Sequence, residues 1–148
     1  MSQPTWWGTR EKVSARMMME HDAMRTCFGT TFTLNVPQWG SLYWTGTITM
    51  NLKGVESREH SLKILYPAQF PIMPPEAHII RPHIEYRAHQ YPNGHLSLFD
   101  PRQGENYGWN PAYSSAATIT GWAIQWLYCY YTWKLKGKWP EFPSEIKK

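Results

Sequence analysis

The sequence predicts an α+β fold, and three observations support that class. Helical periodicity is present near both ends of the chain, over residues 10–28 and 114–133. Between them lie four β-rich segments separated by short turns, which is typical of an antiparallel meander. An aperiodic stretch, residues 81–113, then precedes the second helix. We therefore expect an N-terminal helix, a four-stranded antiparallel meander, a long ordered loop that carries the active site, and a C-terminal helix.

The composition limits the classes of protein to consider. A chain of 148 residues with 42% hydrophobic content suits a single domain, 1–148, with a core near residues 10–135. It has no apolar run of about 18 residues and no apolar segment near its start, so we expect a cytoplasmic location and no membrane contact. The net charge of +4 is modest, and the loop arginines at 81, 87 and 102 are too sparse to predict nucleic-acid binding. No cofactor or metal site is predicted.

The first helix is predicted to begin near Arg10, behind a Thr9 cap, and to end at Gly29. A stripe with a high methionine content follows one side of it and is expected to pack in the core, with a partner surface as the alternative. The stripe consists of Val13, Met17, Met18, Met24 and His21. Cys27 and Cys129 show neither disulfide nor metal spacing, and both are expected to be buried.

Four strands are predicted from alternation and from β-branched or aromatic content, at residues 31–36, 42–52, 61–66 and 77–80. Residues 53–57 are predicted to form a turn. The prolines at 67, 71, 74 and 75 exclude regular strand pairing for the segment that connects the third strand to the fourth.

Ser114 or Ser115 is expected to cap the second helix, which should run to about Trp133. Gly137 and Pro140 should end it and leave a basic, mobile tail. Its apolar residues cover more than one face, so the helix should be largely buried or should carry a second contact surface. The predicted members of that core are Leu62, Ile64, Ile119 and either Trp122 or Trp126.

Short motifs follow one another in a fixed order between the third strand and the second helix. They are Tyr66-Pro67, Phe70-Pro71 with Pro74-Pro75, Asn93-Gly94-His95-Leu96-Ser97-Leu98, and Trp109-Asn110-Pro111-Ala112. In this order they resemble the ubiquitin-conjugating enzyme family. The central loop, with Phe99-Asp100-Pro101 after it, is most similar to the small bacterial members found in anti-phage CBASS operons. Those members act beside a cGAS-like nucleotidyltransferase.

The resemblance implies a ubiquitin-conjugating-enzyme-like fold and an acyl-transfer reaction. In the family, a cysteine thiolate takes up a C-terminal glycyl group as a thioester and passes it to an amine. Two residues depart from the family pattern. Ser97 stands at the position of the nucleophilic cysteine, and His89 stands where the family has the asparagine of a His-Pro-Asn tripeptide. The resemblance implies that His89 supports the oxyanion, and a structural histidine is the alternative.

Two further residues complete the candidate catalytic set. Asn93 precedes Gly94, and supplying the positive φ of a turn is favoured over a catalytic role. Asp100 and Glu105 are the nearest carboxylates that can deprotonate an incoming lysine amine, and a solvated loop residue is the favoured alternative for each. Trp109 is expected to anchor the loop onto the second helix.

The serine leaves two interpretations open. Either the natural residue is a cysteine that serine replaces here, which would leave at most a stable oxyester, or the chain is an inactive adaptor that only binds. In both cases the expected partner is a protein with a C-terminal glycine or similar tail, with a cGAS-like nucleotidyltransferase as the candidate. The sequence contains no Gly-rich phosphate loop, so an activating enzyme must be separate or the acyl donor must arrive activated.

Overall fold

A computed structural model describes residues 10–84, 89–98 and 108–140, with side chains from residue 15 onward. Its elements are helix α1 (Arg10–Phe28), strands β1 (Phe32–Asn35), β2 (Tyr43–Leu52), β3 (Val55–Leu65) and β4 (Glu76–Arg81), and helix α2 (Ala116–Lys136). The four strands form one antiparallel sheet in the order β1-β2-β3-β4. The α+β class and the meander are confirmed.

Local capping chemistry determines where the two helices stop and start. Gly29 ends α1 with a φ of 61°, and its N–H donates to the Arg25 carbonyl at 2.9 Å. Ser115 is the N-cap of α2, and its hydroxyl accepts from the Ala117 N–H at 3.1 Å. Gly137 ends α2 in the left-handed region, as predicted, and the last helical residue, Lys136, lies three residues beyond the predicted end near Trp133.

The predicted start of the third strand is wrong. β3 begins at Val55, which pairs with Leu52, so the turn contains only Lys53 and Gly54. Gly54 has a φ of 89°, which suits a two-residue hairpin turn. The sequence shows no alternation of apolar and polar residues here, because the residues at 56–59 are all exposed and polar.

The core lies between the inner face of the sheet and α2. Leu62 and Ile64 on β3 and Ile119 and Trp126 on α2 are buried, as predicted, whereas Trp122 is only partly buried. Tyr66 and Phe70 extend this core into the turn after β3, so the proline-containing segment is held to the domain by apolar packing.

The predicted apolar stripe of α1 is only half correct. Met24 is buried and Met17 packs partly against the core, but Met18 is 68% exposed. Cys27, predicted to be buried, is exposed, whereas Cys129 is buried as expected. Glu20, which is not a member of the predicted stripe, is also buried on α1.

Candidate active site

Residues 89–98 form a small antiparallel hairpin within the stretch predicted to be irregular. The Ser97 N–H donates to the His89 carbonyl at 3.0 Å, and the Tyr91 N–H donates to the His95 carbonyl at 2.9 Å. At the tip, the Gly94 N–H donates to the Tyr91 carbonyl at 2.8 Å, and Gly94 has a φ of 96°. A proline, an asparagine and a glycine in that order suit a type I turn followed by a left-handed residue.

The register of this hairpin places the main chain of His89 beside that of Ser97. Gln90 pairs with Leu96, so His89 lies directly across from Ser97. Side chains alternate between the two faces of an extended strand. Leu96 is 2% exposed. Ser97 therefore points away from the core, and its main chain is bonded to that of His89.

Main-chain contacts attach the hairpin to the sheet. The Leu96 N–H donates to the carbonyl of Ala77 on β4 at 2.9 Å. Leu98 packs partly against the core on the same side as Leu96, as expected from the spacing of the two leucines. Ser97 lies between them and is half-buried. Position 97 is thus held by the strand on one side and remains accessible on the other.

His89 is held at both its backbone and its ring. Its carbonyl accepts a hydrogen bond from the Trp126 indole Nε1 at 3.0 Å, in addition to the one from the Ser97 N–H. Its imidazole is stacked on the indole of Trp139, with ring centroids 4.1 Å apart and planes 15° apart. The first residues of the predicted mobile tail therefore pack against the hairpin, and that prediction is wrong as far as Trp139.

Asn93 uses its side chain within the turn. Its Oδ1 accepts from the His95 backbone N–H at 3.1 Å and lies 2.6 Å from His95 Nδ1. The positive φ that the turn requires belongs to Gly94. Asn93 therefore positions His95 within the turn.

A small cluster of charged and titratable groups surrounds His95. Its Nδ1 lies 3.7 Å from Glu76 Oε1, which is 3.4 Å from Nε2 of His78. Burial lowers the pKa of His95, the Glu76 carboxylate opposes this change, and the neighbouring His78 adds to it. The Tyr91 ring stacks on His95 at 4.3 Å. In the part of the chain that the structure describes, no three His, Cys, Asp or Glu residues form a group that could hold a metal ion.

Several predicted residues lie outside the described ranges. They include Thr9, the predicted cap of α1, Asp100 and Glu105, the candidate bases, and two of the three loop arginines, Arg87 and Arg102. The side chain of Val13, a member of the predicted stripe, is not described either.

The Trp109 anchor contacts a different partner from the one predicted. Its indole Nε1 donates to the Pro71 carbonyl at 2.8 Å, and its ring lies 6.2 Å from that of Phe70. Trp109 thus joins the loop to the proline-containing turn after β3. The neighbouring Gly108 lies close to α2, because a Cβ added to it would be 3.2 Å from the ring of Trp122.

A buried polar network that the sequence analysis missed supports the segment before α2. Glu20 is 0% exposed, and its Oε1 accepts from the Tyr66 hydroxyl at 2.7 Å and from the Ala116 N–H at 2.8 Å. Its Oε2 accepts from Arg16 Nε at 3.1 Å. The Tyr66 hydroxyl in turn accepts from the Trp44 indole at 2.8 Å. In the sequence, this network could have been inferred only from the (i, i+4) spacing of Arg16 and Glu20 beside the methionine-rich stripe.

The network links α1, β2, the turn after β3 and the first residue of α2. Arg16 also donates to the carbonyls of Pro111 and Ser114, at 2.6 and 2.8 Å. Burial raises the pKa of Glu20, against the effect of the hydrogen bonds from Ala116 and Tyr66 and of the Arg16 charge. Burial, and then the charge of Glu20, raises the pKa of Tyr66. The carboxyl group also occupies the N-terminus of α2, where an acceptor is favoured.

Comparisons with known proteins point to one family. The family model described as "Type II CBASS E2 protein" matches residues 20–144. No curated protein matches the sequence. Among solved structures, the yeast vps23 UEV domain in complex with a vps27 PSDP peptide is similar over 75% of this chain and 78% of that chain, at 16% identity and a TM-score of 0.48. Within the described ranges, no helix is long and apolar enough to cross a membrane.

Proposed function

The chain belongs to the type II CBASS E2 family, and from that membership we propose that it has a ubiquitin-conjugating-type function in bacterial anti-phage defence. In this proposal, position 97 carries the acyl group of a partner protein's C-terminus. The candidate partner is a cGAS-like nucleotidyltransferase, and activation is supplied by a separate enzyme or by a donor that is already activated.

One observation carries this proposal, namely the register of the 89–98 hairpin. Ser97 faces outward between the buried Leu96 and the partly buried Leu98, and His89 lies directly across the hairpin from it. A nucleophile must be accessible, and the group that stabilises the oxyanion must lie near it. The main-chain hydrogen bond between Ser97 and His89 supports the proposal that both residues belong to one site.

The chemistry depends on the atom at position 97. With a cysteine there, the thiolate attacks the C-terminal acyl carbon, the activating group leaves with the bonding electrons, and a thioester results. An amine then attacks that carbon, loses a proton and displaces the thiolate. His89 donates an N–H to the carbonyl oxygen while it carries negative charge. A serine hydroxyl is not ionised near pH 7, so Ser97 should form at most a slow oxyester.

The serine itself favours a second candidate, an adaptor of the same fold that binds its partner without catalysis. Ser97 has a hydroxyl in place of the thiol that the family's reaction requires. An adaptor would keep the hairpin and the surrounding surface but would have no requirement for acyl transfer. The two candidates differ in one measurable property, which is the formation of a covalent adduct when position 97 is a cysteine.

The test compares the serine protein with its Ser97→Cys variant. Each is mixed with a cGAS-like nucleotidyltransferase and an activating enzyme, and adducts are measured by intact mass. We expect the cysteine form to gain the mass of the partner less one water, in a bond that reducing agent breaks. The serine form should give little adduct, and any adduct should resist thiols and be cleaved by mild base.

Two controls assign the adduct to the proposed site. Cys27 is exposed and could also react, so Ser97→Cys combined with Cys27→Ser must retain the adduct. A partner that lacks its C-terminal residue should give none. Adding His89→Ala to the cysteine form should slow thioester formation by roughly 10²–10³-fold, the usual effect of removing one oxyanion donor. If the cysteine form gives no adduct while the serine form binds tightly, the adaptor is the correct description.

A further inference from the structure

The segment that follows α2 turns back onto the candidate active site. Gly137 ends the helix with a φ of 76°, and its N–H donates to the Trp133 carbonyl at 2.6 Å. Two residues later, the indole of Trp139 lies on the His89 imidazole, at 4.1 Å between centroids and 15° between planes. The same indole meets Trp126 edge-on, at 5.3 Å and 67°. Trp139 therefore packs between α2 and the hairpin.

These contacts hold different parts of His89. Trp126 donates from its indole to the His89 carbonyl and so fixes the backbone. The Trp139 indole covers one face of the imidazole, and stacked rings resist rotation about the bond that joins the imidazole to its Cβ. Since His89 lies across from Ser97, the plane of its ring decides where its N–H groups point relative to that residue.

We propose that Trp139 is a positioning residue that fixes the orientation of the His89 imidazole beside position 97. The inference deepens the proposed function and rests on it for the role of His89. It makes the segment after α2 part of the active-site structure. Trp139 itself does not touch the reacting atoms, so it acts through His89.

The experiment uses the full chain with Ser97→Cys as the parent and adds Trp139→Ala, Trp139→Phe, His89→Ala or the pair Trp139→Ala with His89→Ala. Trp133→Ala is the matched control, because Trp133 is a half-buried tryptophan at the same end of α2 that packs on Tyr130. Two readouts need no partner protein. One is the NMR signals of the His89 ring. The other is the rate at which iodoacetamide alkylates the cysteine introduced at position 97, resolved by peptide mass from Cys27 and Cys129.

We expect Trp139→Ala to shift the His89 ring protons downfield, because the ring current of the stacked indole is lost. It should also slow alkylation of the introduced cysteine near pH 7 by about tenfold, the effect of raising the thiol pKa by one unit. Trp139→Phe should restore both values in part, and Trp133→Ala should change neither. Adding Trp139→Ala to His89→Ala should have no further effect on alkylation, because the two residues act as one unit.

Additive effects of the two substitutions, an unchanged His89 ring signal, or faster alkylation in Trp139→Ala would each overturn the proposal. Thioester formation with the partner is then measured on the same variants. If the parent forms no thioester, the acyl-transfer function fails, but the NMR and alkylation results still decide whether Trp139 positions His89. If the parent forms one and Trp139→Ala leaves both its rate and the ring signals unchanged, only the positioning inference fails.

Discussion

Replacing Glu20 with alanine should destabilise the domain more than any exposed substitution on the same helix. The carboxyl group is fully buried and accepts hydrogen bonds from Tyr66, Ala116 and Arg16. An alanine there leaves the Tyr66 hydroxyl and the Ala116 N–H buried without that acceptor. It also removes the charge that faces the Arg16 guanidinium.

The expected cost follows from those contacts. Each buried donor left unsatisfied costs about 1–3 kcal/mol. Arg16 still donates to the carbonyls of Pro111 and Ser114 in the variant. The cost of removing its carboxylate partner should therefore lie at the low end of that range. The total is about 3–7 kcal/mol, and its lower part coincides with the cost of about 3–5 kcal/mol for removing one member of a buried ion pair. Since small domains have only about 5–15 kcal/mol of stability, Glu20→Ala should remove a large part of it.

The measurement is urea denaturation followed by tryptophan fluorescence and by circular dichroism. Asp22→Ala is the matched control, because Asp22 is an exposed acidic residue on the same helix and should leave the midpoint unchanged. Glu20→Gln keeps an oxygen acceptor and should cost less than the alanine variant. A loss below about 1 kcal/mol for Glu20→Ala would show that the network does not support the fold as the contacts imply.

Four further expectations concern stability, pH and binding. Trp126→Ala should cost about 3–5 kcal/mol in urea denaturation, and a near-neutral result would contradict its place in the core. Burial, with a smaller effect of Arg58, lowers the pKa of His60, so the folded chain binds fewer protons than the unfolded one. Stability should therefore fall as the pH drops below about 6.5, and His60→Gln should flatten this dependence in thermal melts at several pH values. Tyr113 is 82% exposed on the loop that Trp109 anchors, and Tyr113→Ala should weaken partner binding in calorimetry without lowering stability. Deleting residues 141–148, which carry two glutamates and two lysines and so no net charge, should leave partner affinity and its salt dependence unchanged.

Two features of the fold were predictable because they depend on local chemistry. Gly29 and Gly137 end the helices since glycine adopts positive φ readily, and Ser115 begins α2 since its hydroxyl accepts an orphan N–H. The start of β3 was not predictable in the same way. Its residues at 56–59 are exposed on the sheet, so their polarity resembles that of a loop, and only pairing with β2 makes them a strand.

The sequence by itself determined the class of fold, the order of its elements and the position of the candidate nucleophile. Alternation, capping residues and the short motifs around Ser97 are local signals, and local signals survive in a linear sequence. The CBASS E2 membership follows the same order of motifs and is shown by the match over residues 20–144.

Only the tertiary structure decided which side chains act together. Glu20 accepts from Ala116, 96 positions further along the chain, and the ring of Trp139 covers that of His89 from a segment predicted to be mobile. Such contacts depend on how α1, the hairpin and the end of α2 pack against one sheet. No spacing in the sequence encodes them, because the free energy that brings these residues together comes from burying the apolar core they share.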